Sequence, residues 1–214
     1  MKVSRGMWLL LTVSMLVACT RLAPVKSEWV SLFNGKDLEG WEQINGYAKY
    51  EAKDGAIVGT SVPNSPNSFL CTKKRYSDFE LEFEVKVDRE LNSGVQIRSE
   101  SRPDYENGRV HGYQVEIAIG GFSGGIYDEA RRRKFLNPQG PTEEIRKLLK
   151  ENDWNRFRVV CRGDRIQTWV NGANVTDLRD NMTHTGFIGL QVHGVGKRTD
   201  QLKVQWRNLR LREL

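Results

Sequence analysis

Asn92-Ser93-Gly94-Val95-Gln96-Ile97-Arg98, His111-Gly112-Tyr113-Gln114-Val115-Glu116-Ile117 and Gly186-Phe187-Ile188-Gly189-Leu190-Gln191-Val192-His193-Gly194 decide how this chain is read. In each stretch apolar and polar residues alternate at period two, the pattern of a strand with one buried face. Val95 and Ile97 oppose Gln96 and Arg98. Val115 and Ile117 oppose Gln114 and Glu116, and Leu190 and Val192 oppose Gln191 and His193. A solvated face usually carries Lys, Glu, Thr and Ser. These faces carry hydrogen-bonding and acid–base groups, so three neighbouring strands would merge them into one functional surface.

Outward from these stretches the chain continues as short strands and turns. Leu81, Phe83, Val85 and Val87 oppose Glu80, Glu82, Glu84 and Lys86, and the glutamates read as an outer face rather than a catalytic pair. Asp54-Gly55 and Asn171-Gly172 are tight hairpin signals. Trp41, Trp154 and Trp206 read as core. Gly120–Gly125 lacks the residues of a phosphate loop and reads as a mobile loop beside the site, leading to Tyr127. The Arg131–Lys134 cluster reads mostly as solvated charge. Pro141–Lys150 is the one helix, with acidic residues early and basic residues late. Many short strands with a single helix imply an all-β antiparallel sandwich and exclude a doubly wound α/β fold.

The 214 residues support one sizeable core. A net charge of +6 is spread along the chain, which argues against nucleic acid as a partner. Lys2 and Arg5 precede an apolar run, Met7–Val17, that is short for a membrane span. It ends in Leu16-Val17-Ala18-Cys19, which resembles a bacterial lipobox. The expectation is a lipoprotein signal over residues 1–18, lipidation of Cys19, a tether over 19–28 and a folded domain over 29–214. That places the protein in a bacterial cell envelope, held to a membrane by acyl chains. Cys71 and Cys161 either bridge or remain buried thiols.

Leu32-Phe33-Asn34-Gly35-Lys36-Asp37-Leu38-Glu39-Gly40-Trp41 resembles the opening motif of the 3-keto-disaccharide hydrolase domain family. The resemblance continues through Asp78–Leu81, Asn92–Val95, Tyr113–Glu116, Gly125–Tyr127, Trp154-Asn155, Val170–Gly172, Gly186–Gly194 and Trp206–Leu209, in family order. It implies a concanavalin A-like jelly roll whose concave face takes carbohydrate. Ala118 stands where many members carry an acid, so that acid's role is not carried over.

A ketone at C3 of a sugar acidifies the hydrogen on C2, and the C1 substituent then leaves by elimination before water adds. Such chemistry needs a base, a donor for the enolate oxygen and an acid for the leaving group. Glu116 and His193 have the right types for base and acid. Gln96, Arg98, Gln114, Tyr127 and Gln191 are the expected substrate-binding residues. A divalent metal is a further option, with His111, Glu116 and His193 as candidate ligands. Two other readings stay open. One is a carbohydrate-binding module without activity. The other is an ordinary glycosidase, which needs two carboxylates in one groove, whereas Glu116 has no obvious second.

Overall fold

The computed structural model describes residues 27–214, together with Met1. The expected signal segment, Cys19 and most of the tether lie outside the described residues. The strands are β1 (Val30–Ser31), β2 (Trp41–Ile44), β3 (Lys49–Lys53), β4 (Ala56–Thr60), β5 (Ser68–Thr72), β6 (Phe79–Val87) and β7 (Ser93–Glu100). They continue with β8 (His111–Ile117), β9 (Ile126–Glu129), β10 (Asn155–Arg162), β11 (Arg165–Val170), β12 (Ala173–Arg179), β13 (Phe187–Val192) and β14 (Lys203–Glu213). One sheet runs β12-β11-β10-β6-β14-β4-β3, with β1 also on β14; the other runs β2-β5-β13-β7-β8-β9. All pairings are antiparallel, and the two sheets form a jelly-roll sandwich.

Local sequence explains the turns. Asp54 and Gly55 both have positive φ (51° and 73°), as do Asn171 and Gly172 (49° and 90°). Two-residue hairpins require that conformation because its twist matches the flanking strands. Between the sheets, Leu81, Phe83 and Val85 of β6 meet Val95, Ile97, Val115, Ile117, Leu190 and Val192 in one core. Phe83 stacks on Phe157 with centroids 5.1 Å apart. Each such side chain contributes about 1.5–3 kcal/mol by leaving water. Trp41 and Trp206 are core residues. Trp154 instead lies on the outer face of the larger sheet under the Arg207 guanidinium.

Cys71 and Cys161 are both buried and unbridged. Burial pushes the Cys161 thiol up to about 12, so it packs as a small apolar group. The helix is shorter than Pro141–Lys150. A single turn, α1 (Glu143–Arg146), is capped by the Thr142 hydroxyl. Helical bonding stops because side-chain amides take over the next backbone groups. Asn171 donates to the Leu148 carbonyl, and Asn155 bonds both the N–H and the carbonyl of Lys150.

The glycine-rich segment is also tied down rather than a free loop. Thr168 and Thr176 hydroxyls both donate to the Gly124 carbonyl, and Ser123 bonds both backbone groups of Ala118. Gly124 adopts φ +87°, and an added Cβ would stand 2.8 Å from Val170. This turn holds Gly125 against Glu116 and thereby fixes the end of β9.

Candidate functional site

The site lies on the outer face of the six-stranded sheet. Gln114 of β8 stands opposite Gln96 of β7 on one side and Tyr127 of β9 on the other. Gln191 of β13 faces Gly94 of β7. A Cβ on Gly94 would come within 2.5 Å of the Gln114 side chain. The missing side chain is therefore what lets Gln114 cross over β7 toward β13. Its Oε1 accepts from Gln96 Nε2 and Gln191 Nε2, each at 2.8 Å, and its Nε2 donates to Glu116 Oε2 at 2.9 Å. Asn92 Nδ2 donates to the other oxygen of Glu116. The three glutamines are buried and joined through the Gln114 side chain into a ladder that aims Glu116. Gln114 also lines the cavity beside Glu116, and the buried Gln191 Oε1 has no partner among the described residues.

Glu116 borders a cavity of about 320 Å³ with Asn67, Asn92, Arg109, Tyr127, Glu129, Phe135 and His193. Burial raises the Glu116 carboxyl above its ordinary range; the amides of Asn92 and Gln114 and the nearby His193 oppose the shift, and Glu129 adds to it. His193 bonds its Nδ1 to the Gly194 carbonyl at 2.8 Å. A carbonyl only accepts, so Nδ1 carries the proton and Nε2 of the neutral ring is left with a free lone pair. Asn67 accepts from the Gly194 N–H at 3.0 Å and so fixes the loop that carries this ring.

Glu129 was not foreseen. Its register opposite Gly112 puts it on the same face as Gln114 and Tyr127. Burial raises its carboxyl as well, against the pull of Arg109, whose Nη2 lies 3.6 Å away. The signal was present in the alternation Tyr127-Asp128-Glu129 but is only two steps long. Phe135, in edge contact with Tyr127 at 5.3 Å, completes an aromatic wall. The groove continues past Asn67, Arg109 and His193 into a second cavity of about 600 Å³ beside Asn45, Pro66 and Phe69. Asn45, which accepts from the Val110 N–H, ties down the segment that carries Arg109.

Two expected residues are placed elsewhere. Arg98 sits at a bulge where the β7–β8 register shifts, with φ +47°. It follows Ile97 inward, and Ser99 takes the outward place beside Gln96. The Arg98 guanidinium, fully buried, bonds Ser77 O, Gly163 O and Asp78 Oδ1, which joins the two sheets. It does not reach the groove. His111 is buried against Tyr105, centroids 4.0 Å apart, with Nδ1 on the Arg109 carbonyl. It therefore does not join Glu116 and His193. Among the described residues no group of three or more His, Cys, Asp or Glu is arranged to hold a metal ion. Of the basic cluster, Arg131 and Arg132 are not solvated but held by the buried Asp128.

A cavity of about 590 Å³ opens on the opposite sheet beside Trp29, Glu82, Arg156 and Arg210. Arginine binds both of its carboxylates, Glu82 and Glu84, so neither is available as an acid or base there.

Among solved structures the fold has many counterparts. Two Parabacteroides distasonis proteins, each named "putative glycosyl hydrolase", align with TM-scores of 0.62 and 0.61 at 19% and 24% identity. Each alignment covers 87% of this chain, and 94% and 100% of those chains. The Bacillus subtilis carbohydrate-binding module CBM66 aligns with a TM-score of 0.60 at 16% identity, over 81% of this chain and 96% of its own. No curated protein matches the chain. Residues 28–212 match the 3-keto-alpha-glucoside-1,2-lyase-like domain, nearly the whole described chain. The protein belongs to that family.

Proposed function

We propose that this carbohydrate-active protein cleaves 3-keto-glycosides by elimination, with Glu116 as the base and His193 as the acid. The observation that carries the reading is the pairing, in one cavity, of a buried carboxylate with raised pKa and an imidazole whose Nε2 is unbound. Glu116 takes the C2 proton of the keto sugar. The electron pair left on C2 becomes the C1–C2 double bond as the C1–oxygen bond breaks. His193, once protonated, delivers a proton from Nε2 to the departing oxygen, and water then adds across the double bond. Arg109 and Asn67 take the part of enolate donor that was expected of Arg98. Aromatic Tyr127 and Phe135 flank the ring.

The decisive experiment uses 3-keto-glucosides and their unoxidised parents in deuterated water. Expected results are turnover of the keto substrate alone, deuterium at C2 of the recovered sugar, and a loss of turnover of ~10²–10⁴ in Glu116→Gln. Full activity in that variant overturns the assignment of the base.

Glu129 favours a second reading, since it supplies the second carboxylate that an ordinary glycosidase needs in one groove. Turnover of the unoxidised glycoside with no label at C2 would select it. A protein that binds sugar without turnover would be a binding module. We propose also that Cys19 is lipidated and holds the domain in a bacterial envelope; Cys19→Ser should abolish acyl labelling.

A further inference from the structure

We infer that the outer face of the eight-stranded sheet is a docking surface for an anionic phospholipid bilayer. Glu80, Glu82 and Glu84 of β6 are flanked by arginines of β10 and β14. Glu80 binds Arg158 and Arg212, Glu82 binds Arg156 and Arg210, and Glu84 binds Arg207. Three carboxylates thus share five guanidiniums, and the excess charge is positive. Around this lattice Lys49, Lys53, Lys86, Arg162 and Lys203 occupy outward positions of the same sheet. The Glu51 carboxylate stands among them on β3, and none of the five basic residues forms an ion pair among the described residues.

Three tryptophans complete the pattern. Trp169 lies under Arg158 at 4.3 Å, Trp154 under Arg207 at 4.1 Å and Trp29 under Arg210 at 4.7 Å. Guanidinium held on indole is suited to the boundary of a bilayer, where one part of the pair is apolar and the other meets headgroup phosphate.

The path of the chain selects the bilayer over other polyanions. Trp29 rests on this face, and β1 pairs with β14 beside Arg210. The stretch that leads into the fold, Arg21 to Lys26, itself carries two more cations. From Cys19 to Ser27 the extended reach is at most about 29 Å. Given the lipidation proposed for Cys19, the membrane lies within that reach of Ser27, just ahead of Trp29 on this face, and docking there would turn the Glu116 groove on the opposite sheet away from it.

The test is flotation of the mature chain, residues 19–214, carrying Cys19→Ser, on vesicles of phosphatidylglycerol mixed with phosphatidylcholine, and on phosphatidylcholine alone. The Cys19→Ser protein should favour the anionic vesicles, and the preference should fade with salt as the Debye length shrinks. Each basic residue near an anionic surface contributes about fivefold. Adding Lys49→Gln, Lys53→Gln, Lys86→Gln, Arg162→Gln and Lys203→Gln should lower anionic binding by up to ~3000-fold if all five reach the surface and by about 25-fold if only two do, with an unchanged circular dichroism spectrum. A control replaces Lys36, Lys73, Lys134, Lys147 and Lys197, outside that sheet, with Gln, and it should bind like its parent. Equal loss in both variants would show net charge acting without a docking face, and no loss in the first would remove the face altogether. Duplex DNA or heparin that strips the protein from vesicles at matched charge concentration would give the face to a soluble polyanion and overturn the bilayer.

Discussion

Glu116 is caught between groups that move its proton affinity in opposite directions. Burial raises it and Glu129 adds to that, while the amides of Asn92 and Gln114 and the nearby His193 lower it. If ionised Glu116 is the base, the acid limb of kcat/KM follows its free-enzyme value. Asn92→Ala removes a donor to the carboxylate and should move that limb to higher pH. Glu129→Gln removes a like charge and should move it to lower pH. Shifts in the same direction for both variants would contradict the assignment. The raised carboxyl also makes stability depend on pH. A carboxyl raised in the folded state contributes stability below its ordinary unfolded value and loses it as pH rises through the folded value. Thermal melts of the wild type should therefore show a destabilising contribution with rising pH that Glu116→Gln lacks.

At the level of strands, Gly94 shows how one residue organises three of them. Gly94→Ala should place a methyl group where the Gln114 side chain runs and break the bonds to Gln191 and Glu116. Overpacking of this kind costs about 1–3 kcal/mol, so the melting temperature should fall, and turnover should fall with it. Gly94→Ala melting and acting like wild type would show that the ladder does not position Glu116. The same strands show what a sequence reveals. Alternation placed Gln96, Gln114, Glu116 and Gln191 on one face because a regular ladder preserves period two. Arg98 escaped because a bulge changes the count after Ile97, and nothing local announces a positive φ at an arginine. Glu129 escaped because β9 is only four residues long. Tyr127 of β9 and His193, on the loop just past β13, share the cavity with Glu116, whereas His111 packs on Tyr105.

Across the whole molecule, Arg98 is a tie between sheets and not a ligand contact. Arg98→Met should leave the Ser77 and Gly163 carbonyls without their donor and lower stability by about 3 kcal/mol in denaturant unfolding. Asp78 is partly exposed, which keeps the loss at the low end of that seen for buried pairs. A variant as stable as the wild type would deny the tie.

The inward turn of Arg98 also sets the electrical character of the groove. Glu116 and Glu129 face it, and Arg109 divides its charge between Glu129 and Glu106. Substrates that carry their own negative charge therefore enter against a repulsive field. A 3-keto-glucoside and the matching 3-keto-glucuronide should differ mainly in KM, with the glucuronide weaker, and added salt should narrow the gap. One displaced guanidinium thus acts as a filter that separates neutral from acidic sugars without touching either.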